Sequence, residues 1–170
     1  MIHNRVATER DAYEAEAFGA FHMDVETTRF GVVNVDDTRL ITFPAGLLGF
    51  VAYKTYALLE PDANGAFLWL QSVEAPELAF VVTDPTLWIR GYEVPFRREQ
   101  MHQLGLESLD DAQIYVILNK YDRSLTANLQ GPLVVNGSNR RGMQVVLAEK
   151  RWTTRHEIVQ LEPHLQAASA

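Results

Sequence analysis

The chain has 170 residues, a net charge of −7 and 47% apolar side chains, enough to bury one core as a single domain. It contains no cysteine, which excludes disulfides, thiol catalysis and cysteine-ligated metals and suits a reducing cytoplasm. No apolar stretch approaches the length that spans a bilayer, and the excess of acid argues against nucleic acid as a direct partner and for a basic protein.

Residues 1–20 are polar, alanine-rich and acidic, with small, scattered apolar positions. They are expected to form an arm, either a frayed helix or disordered, and residues 8–16 are too charged for a secretory signal. From residue 21 the pattern changes. Phe21, Met23, Val25 and Thr27 alternate with His22, Asp24 and Glu26, which predicts a strand with one wet face, broken at Gly31. Residues 32–35 continue it, Asp36-Asp37 turn, and residues 40–43 form another strand. Phe43-Pro44-Ala45-Gly46-Leu47-Leu48-Gly49-Phe50 follows, where one proline and two glycines mean a shaped loop. Residues 53–59 read as a strand, and Asn64-Gly65 is a turn signal.

The stretch 68–85 organises the chain. Two apolar, β-branched and aromatic runs, 67–73 and 78–84, flank Glu74-Ala75-Pro76-Glu77, which reads as a hairpin loop held by its proline. Runs apolar on both faces are buried on both sides. Asp84-Pro85 ends the hairpin. Pro95 opens the best helix candidate, 95–104, with Gly105 at its end and Val94, Met101 and Leu104 on one face. Residues 114–118 are strongly β, and two short strands, 125–129 and 133–135, are separated by Gly131-Pro132. Residues 143–147 are the last strand read from the pattern, and the tail after His164 is small and polar. Many short strands at close spacing predict a mainly β fold, a small antiparallel barrel-like single domain with one short helix.

Catalytic chemistry is not visible. His3, His22, His102, His156 and His164 make no close zinc-ligand spacing, and Asp36-Asp37 and Asp110-Asp111 sit where aspartate bonds the backbone of a turn or helix start. No phosphate loop, dinucleotide fingerprint or nucleophile elbow is present. Trp69 lies in so apolar a strand that core packing is favoured over a ligand platform. Charge is more informative. Between Thr55 and Ile89 stand Glu60, Asp62, Glu74, Glu77 and Asp84 with no lysine or arginine. The acidic tip reads either as a solubilising loop or as a docking face for a basic protein. Arg140-Arg141 and Lys150-Arg151, with Arg155 nearby, have the opposite polarity; they read either as an RNA patch of a small RNA-binding barrel or, being short and without interleaved aromatics apart from Trp152, as solvated turns, and the turns are favoured.

Four blocks together are specific. They are Ile41-Thr42-Phe43-Pro44 with Gly46 and Gly49-Phe50; residues 68–85 with Trp69-Leu70-Gln71-Ser72 and Pro76; Thr126-Ala127-Asn128-Leu129 with Pro132 and Asn136; and Asn139-Arg140 with Gly142, Gln144 and Val145. In this order and spacing they resemble the flagellar assembly factor FliW family, over about residues 23–156. Leu47-Leu48 and Ala45 depart from the family pattern, and residues 1–20 and those after about 157 have no counterpart in it.

The resemblance implies a barrel-like β domain over 21–157, and composition sets apart an N-terminal arm over 1–20 and a tail over 158–170. It implies a cytoplasmic, non-catalytic protein, monomeric when free, without cofactor or metal. It also implies two partners, the translational repressor CsrA and flagellin. Unexported flagellin would occupy the protein and free CsrA to silence flagellin messenger RNA, which requires the two partners to exclude each other. The residues expected to touch a partner are Phe43, Pro44, Glu74, Pro76, Glu77, Asp84 and Asn128. Asn128 is included because the Gly131-Pro132 break is expected to leave a sheet edge unpaired.

Overall fold

β1 (His22–Thr27) and β2 (Gly31–Asp36) open the described chain, residues 21–162 of the computed structural model, as an antiparallel ribbon. Asp36 caps a short 3-10 turn by accepting from the Thr38 N–H at 2.9 Å, and β3 (Leu40–Thr42) follows. Beyond the glycine loop come β4 (Thr55–Leu59), β5 (Leu68–Ser72) and β6 (Ala79–Thr83), each antiparallel to the one before. The hairpin read from the two apolar runs is β5–β6.

β7 (Ala112–Tyr121) pairs with β6 along one edge. Along its other edge the chain returns in two pieces. β8 (Ser124–Ala127) lies beside the end of β7, and β9 (Leu133–Asn136) lies beside its beginning. Gly131-Pro132 interrupts the returning strand between them, as proline must in a ladder. β10 (Gly142–Gln144) adds to β9, and β11 (His156–Gln160) adds to β8.

The main path of the sheet runs β10-β9-β7-β6-β5-β4-β3, and its ends meet. The Thr42 N–H donates to the Arg140 carbonyl at 3.0 Å, and Thr42 forms one parallel bridge with Arg141. The sheet is therefore curled and barrel-like, with a seam one bridge wide.

Alternation along the strands sorts the core into three clusters. Ile41, Phe43, Leu47, Tyr56, Leu68, Leu70, Val82, Tyr115, Leu133 and Val135 fill one. Ala57 and Leu59 project from the other side of β4 and pack with Val25 and Val35 of the ribbon, with Trp69 and Val73 alongside. From β7 and β9, Ala112, Val116, Leu118 and Val134 meet Tyr92, Val94, Leu104, Leu147 and Trp152. Strands clad on both faces in this way explain the near-continuous apolar runs. Each fully buried large side chain contributes roughly 1.5–3 kcal/mol.

The one α-helix among the described residues, α1 (Arg98–Leu104), starts three residues later than its sequence suggests. The Gln100 side chain accepts the Arg97 N–H at 2.9 Å, so Arg97 stays extended as the cap and Pro95 lies outside the first turn. Gly105 closes the helix at φ 67°, as anticipated.

The 143–147 strand shortens to β10. β11, unread from the pattern, crosses the boundary drawn at residue 157, so the paired body extends to Gln160. Its register shifts between Glu157 and Val159, and that bulge destroys the alternation that would have marked a strand. Residues 1–20, and 163–170 of the expected tail, lie outside the described residues.

Candidate partner-binding surface

The acidic hairpin tip is shaped from below by Gln71 and Ser72. Gln71 is fully buried, and its Nε2 lies 3.0–3.4 Å from the carbonyls of Ser72, Ala75, Pro76 and Leu78. The Ser72 Oγ accepts from the N–H groups of Glu74 and Ala75 at 3.2 and 3.0 Å. The Pro76 carbonyl also accepts the Thr28 N–H at 3.0 Å, which docks the β1–β2 turn against the tip.

The two tip glutamates then differ. Glu74 accepts the N–H groups of Lys54 and Thr55 at 3.1 and 3.2 Å, so its carboxylate fastens the tip to the start of β4. Its charge also acts on Tyr56, whose hydroxyl is buried without a partner and whose pKa is pushed up to about 12, first by burial, then by Glu74 and Tyr53. Glu77 is exposed, and nothing among the described residues engages its carboxylate.

Three expected contact residues fall elsewhere. Asp84 lies at the opposite end of β6 from Glu77, where its Oδ1 accepts the Thr86 N–H at 2.8 Å and the Thr86 hydroxyl at 2.6 Å. It caps the 3-10 turn Pro85–Leu87 and does not extend the acidic tip. Asn128 does not mark a free edge, because β8 is flanked by β7 and β11; its N–H reaches the Ile117 carbonyl and its Oδ1 accepts from Gly131 at 3.0 Å. Phe43 is 0% exposed, its ring edge-on to Tyr56 at 5.7 Å, so it packs the core and offers no contact. Its neighbour Pro44 is exposed.

The loop after Pro44 exposes apolar side chains that the sequence reading did not resolve one by one. Gly46, at φ 70°, lies where a Cβ would sit 2.6 Å from the Val51 Cα, so the loop can double back only on glycine. Leu47 turns inward, while Leu48 and Val51 are 62% and 61% exposed. Phe50 stands edge-on to Phe80 at 5.0 Å. The pair of glycines announced a shaped loop, but which leucine faces out depends on Leu47 finding the core. Gln144 of β10 accepts the Leu48 N–H at 2.8 Å, and Glu74 holds the far end of the loop at Lys54. The loop thus spans from the barrel seam to the acidic tip.

At the seam, Asn136 and Arg141 close a hairpin around residues 137–140, with Arg140 at φ 58°. The Arg140 Nη1 donates to the Gln113 Oε1 at 3.3 Å, and its Nε is buried without an acceptor. Burial weighs against its charged form, with Tyr115 and Asp36 opposing. Arg141 is exposed.

Neither tryptophan of the hairpin region is an open platform. Phe30 and Arg29 pack on Trp69 at 5.7 and 4.4 Å, and Trp88 is stacked on Phe67 at 5.5 Å with its Nε1 on the Thr83 hydroxyl. Among the described residues no cluster of three or more acidic or histidine side chains has metal-binding geometry, and no helix is long and apolar enough to cross a membrane.

The chain matches known proteins over most of its length. The FliW protein family model matches residues 24–158, which hold the tip, the loop and the seam. The chain belongs to the FliW family. A flagellar assembly factor FliW of Leptospira biflexa is 36% identical over 139 residues, covering 80% of this chain and 91% of that one. One from Geobacter sulfurreducens is 39% identical over 136 residues, covering 79% and 85%. A crystal structure of the flagellar assembly factor FliW superposes with a TM-score of 0.73 at 31% identity, covering 81% of this chain and 97% of that one.

Proposed function

We propose that this FliW-family protein acts in the cytoplasm as a non-catalytic antagonist of the translational repressor CsrA, and that it also binds flagellin. Flagellin synthesis is then coupled to export by partner switching. The observation that carries the reading is family membership over residues 24–158, from within β1 to within β11. The charge supports it. An RNA-binding repressor must carry positive charge, and this chain is acidic overall with an unengaged Glu77 at the tip of its central hairpin. Glu77, with Pro76 as its rigid neighbour, is the proposed point of first contact with CsrA. Glu74 contributes to the field of the tip while its oxygens hold the backbone of β4.

Partner switching requires that CsrA and flagellin exclude each other. Titrating purified flagellin into a preformed complex with CsrA is expected to release CsrA on size-exclusion chromatography. A stable ternary complex rejects the switch.

A further inference from the structure

An unpaired strand edge is a template for another chain, and folded proteins guard such edges with bulges, charge or brevity. Among the described residues, β3 and β10 are three residues long, β11 carries a bulge, and β1 is charged at Asp24 and Glu26. β2 lacks these guards. It reads Gly-Val-Val-Asn-Val-Asp, with its one charge at the end, and pairs with β1 in unbroken register. No described strand lies along its other edge. A groove of about 440 Å³ follows that edge. Residues 33–36 line it from β2 and Phe30 from the turn before, while Leu59, Glu60 and Pro61 line it from the end of β4. His22, opposite Asp36 in the ribbon, and Arg39, paired with Asp36 at 3.8 Å, stand at its far end.

The geometry points to the β2 edge and its groove as a docking site for an extended segment of a partner protein that alternates apolar and basic side chains. The segment adds as a third strand to the ribbon, and its backbone pairs with the outward N–H and C=O groups of β2. Alternation then fixes its side chains. Those beside Val33 and Val35 fall on the inner face, where both valines join the core, and they cover Phe30, Leu59 and Pro61. Those beside Val32, Asn34 and Asp36 fall on the outer face. The register places Glu26 and Asp24 opposite Val32 and Asn34 on that same face, so it is acidic. Basic side chains are matched there, in agreement with the net charge of −7. A second copy of this chain is disfavoured, because joining two β2 edges sets these carboxylates against their own kind. The site needs no contact at Glu77 and goes beyond the function proposed above.

Fluorescence anisotropy with short labelled peptides, about as long as β2, tests the assignment. One probe alternates valine and lysine, and a second alternates valine and glutamate. A third repeats the valine–lysine sequence with every backbone amide N-methylated, which keeps its charge and removes its strand donors. The wild-type chain is expected to bind the first saturably and the other two at least about tenfold more weakly. Asn34→Lys alters an exposed side chain and installs the missing guard. It should keep the wild-type melting temperature and weaken valine–lysine binding at least about fivefold. Amide hydrogen exchange of the complex should slow in residues 31–36, while residues 74–77 of the acidic tip exchange as in the free chain. Five results overturn the assignment. They are no saturation below about 1 mM, equal affinity for the N-methylated peptide, wild-type binding by Asn34→Lys, protection at the tip in place of β2, or a dimer that Asn34→Lys abolishes, which would give the edge to a second copy.

Discussion

A Cβ placed on Gly142 would lie 2.4 Å from the ring of Phe43. Gly142 begins β10 and Phe43 follows β3, so the two strands at the seam approach closely only because one contributes no side chain and the other a flat ring. Gly142→Ala forces that ring away from Tyr56 and its buried neighbours. It is expected to cost about 1–3 kcal/mol, read as a lower urea midpoint with an unchanged slope.

Arg140 provides the opposite case. It occupies the left-handed region at φ 58°, where asparagine is better tolerated than most side chains. Arg140→Asn also removes a half-buried guanidinium whose Nε has no acceptor, at the expense of one 3.3 Å bond to Gln113. Thermal unfolding of the variant is expected to show a gain of about 0.5–1 kcal/mol. A loss of that size would mean that the Gln113 contact outweighs the backbone strain.

These cases also show what the sequence made legible. The hairpin β5–β6 and the end of α1 at Gly105 rest on local rules, apolar alternation and a left-handed cap, and both emerged where expected. The misplaced features depend on distant partners. β11 is a strand because β8 waits for it far back in the chain, as in the pairing of Glu157 with Thr126, and its bulge hides it from any period-two reading. That hidden strand is also why Asn128 looked like an edge. The polar residues of the four blocks were visible, but their work is internal. Gln71 and Ser72 build the hairpin tip, while Asn136 and Asn139 send their Nδ2 groups to the Leu104 carbonyl at the end of α1, both at 2.9 Å. A motif that specifies a fold and a motif that specifies a contact look alike until burial separates them, as Phe43 and Pro44 illustrate.

Tyr56 makes stability depend on pH. Its folded pKa of about 12 lies above the ordinary value of 10.0, so the unfolded chain gives up this proton first as pH rises. The folded state then holds more protons, and the slope of unfolding free energy against pH is negative. The contribution is fully present below pH 10 and is lost as pH rises toward 12. Tyr92 shifts in the same direction, by burial, and adds to the loss. Tyr56→Phe deletes a buried hydroxyl that has no partner, so stability at neutral pH is expected to hold or rise by about 1 kcal/mol. Urea titrations at pH 8 and at intervals between pH 10 and 12 should show a shallower decline for the variant. An undiminished decline would assign the effect to other groups.

The two tip glutamates should separate stability from recognition. Glu74 receives the N–H groups of Lys54 and Thr55, so Glu74→Lys removes two backbone contacts at the junction of tip and loop and is expected to lower stability by about 1–2 kcal/mol. Glu77 holds nothing, and Glu77→Lys should leave the urea midpoint within about 0.5 kcal/mol of wild type. Binding to CsrA should follow the opposite logic. An exposed rim charge acts through long-range attraction, so it changes association rate and salt dependence more than dissociation. Glu77→Lys is therefore expected to slow association with CsrA about threefold to tenfold at low salt and to flatten the dependence of the rate on ionic strength. Stopped-flow mixing at two salt concentrations measures both quantities, and circular dichroism verifies that the variant is folded. If folded Glu77→Lys associates at the wild-type rate at both salt concentrations, the tip is a solubilising loop, and the CsrA contact lies on another face of the barrel.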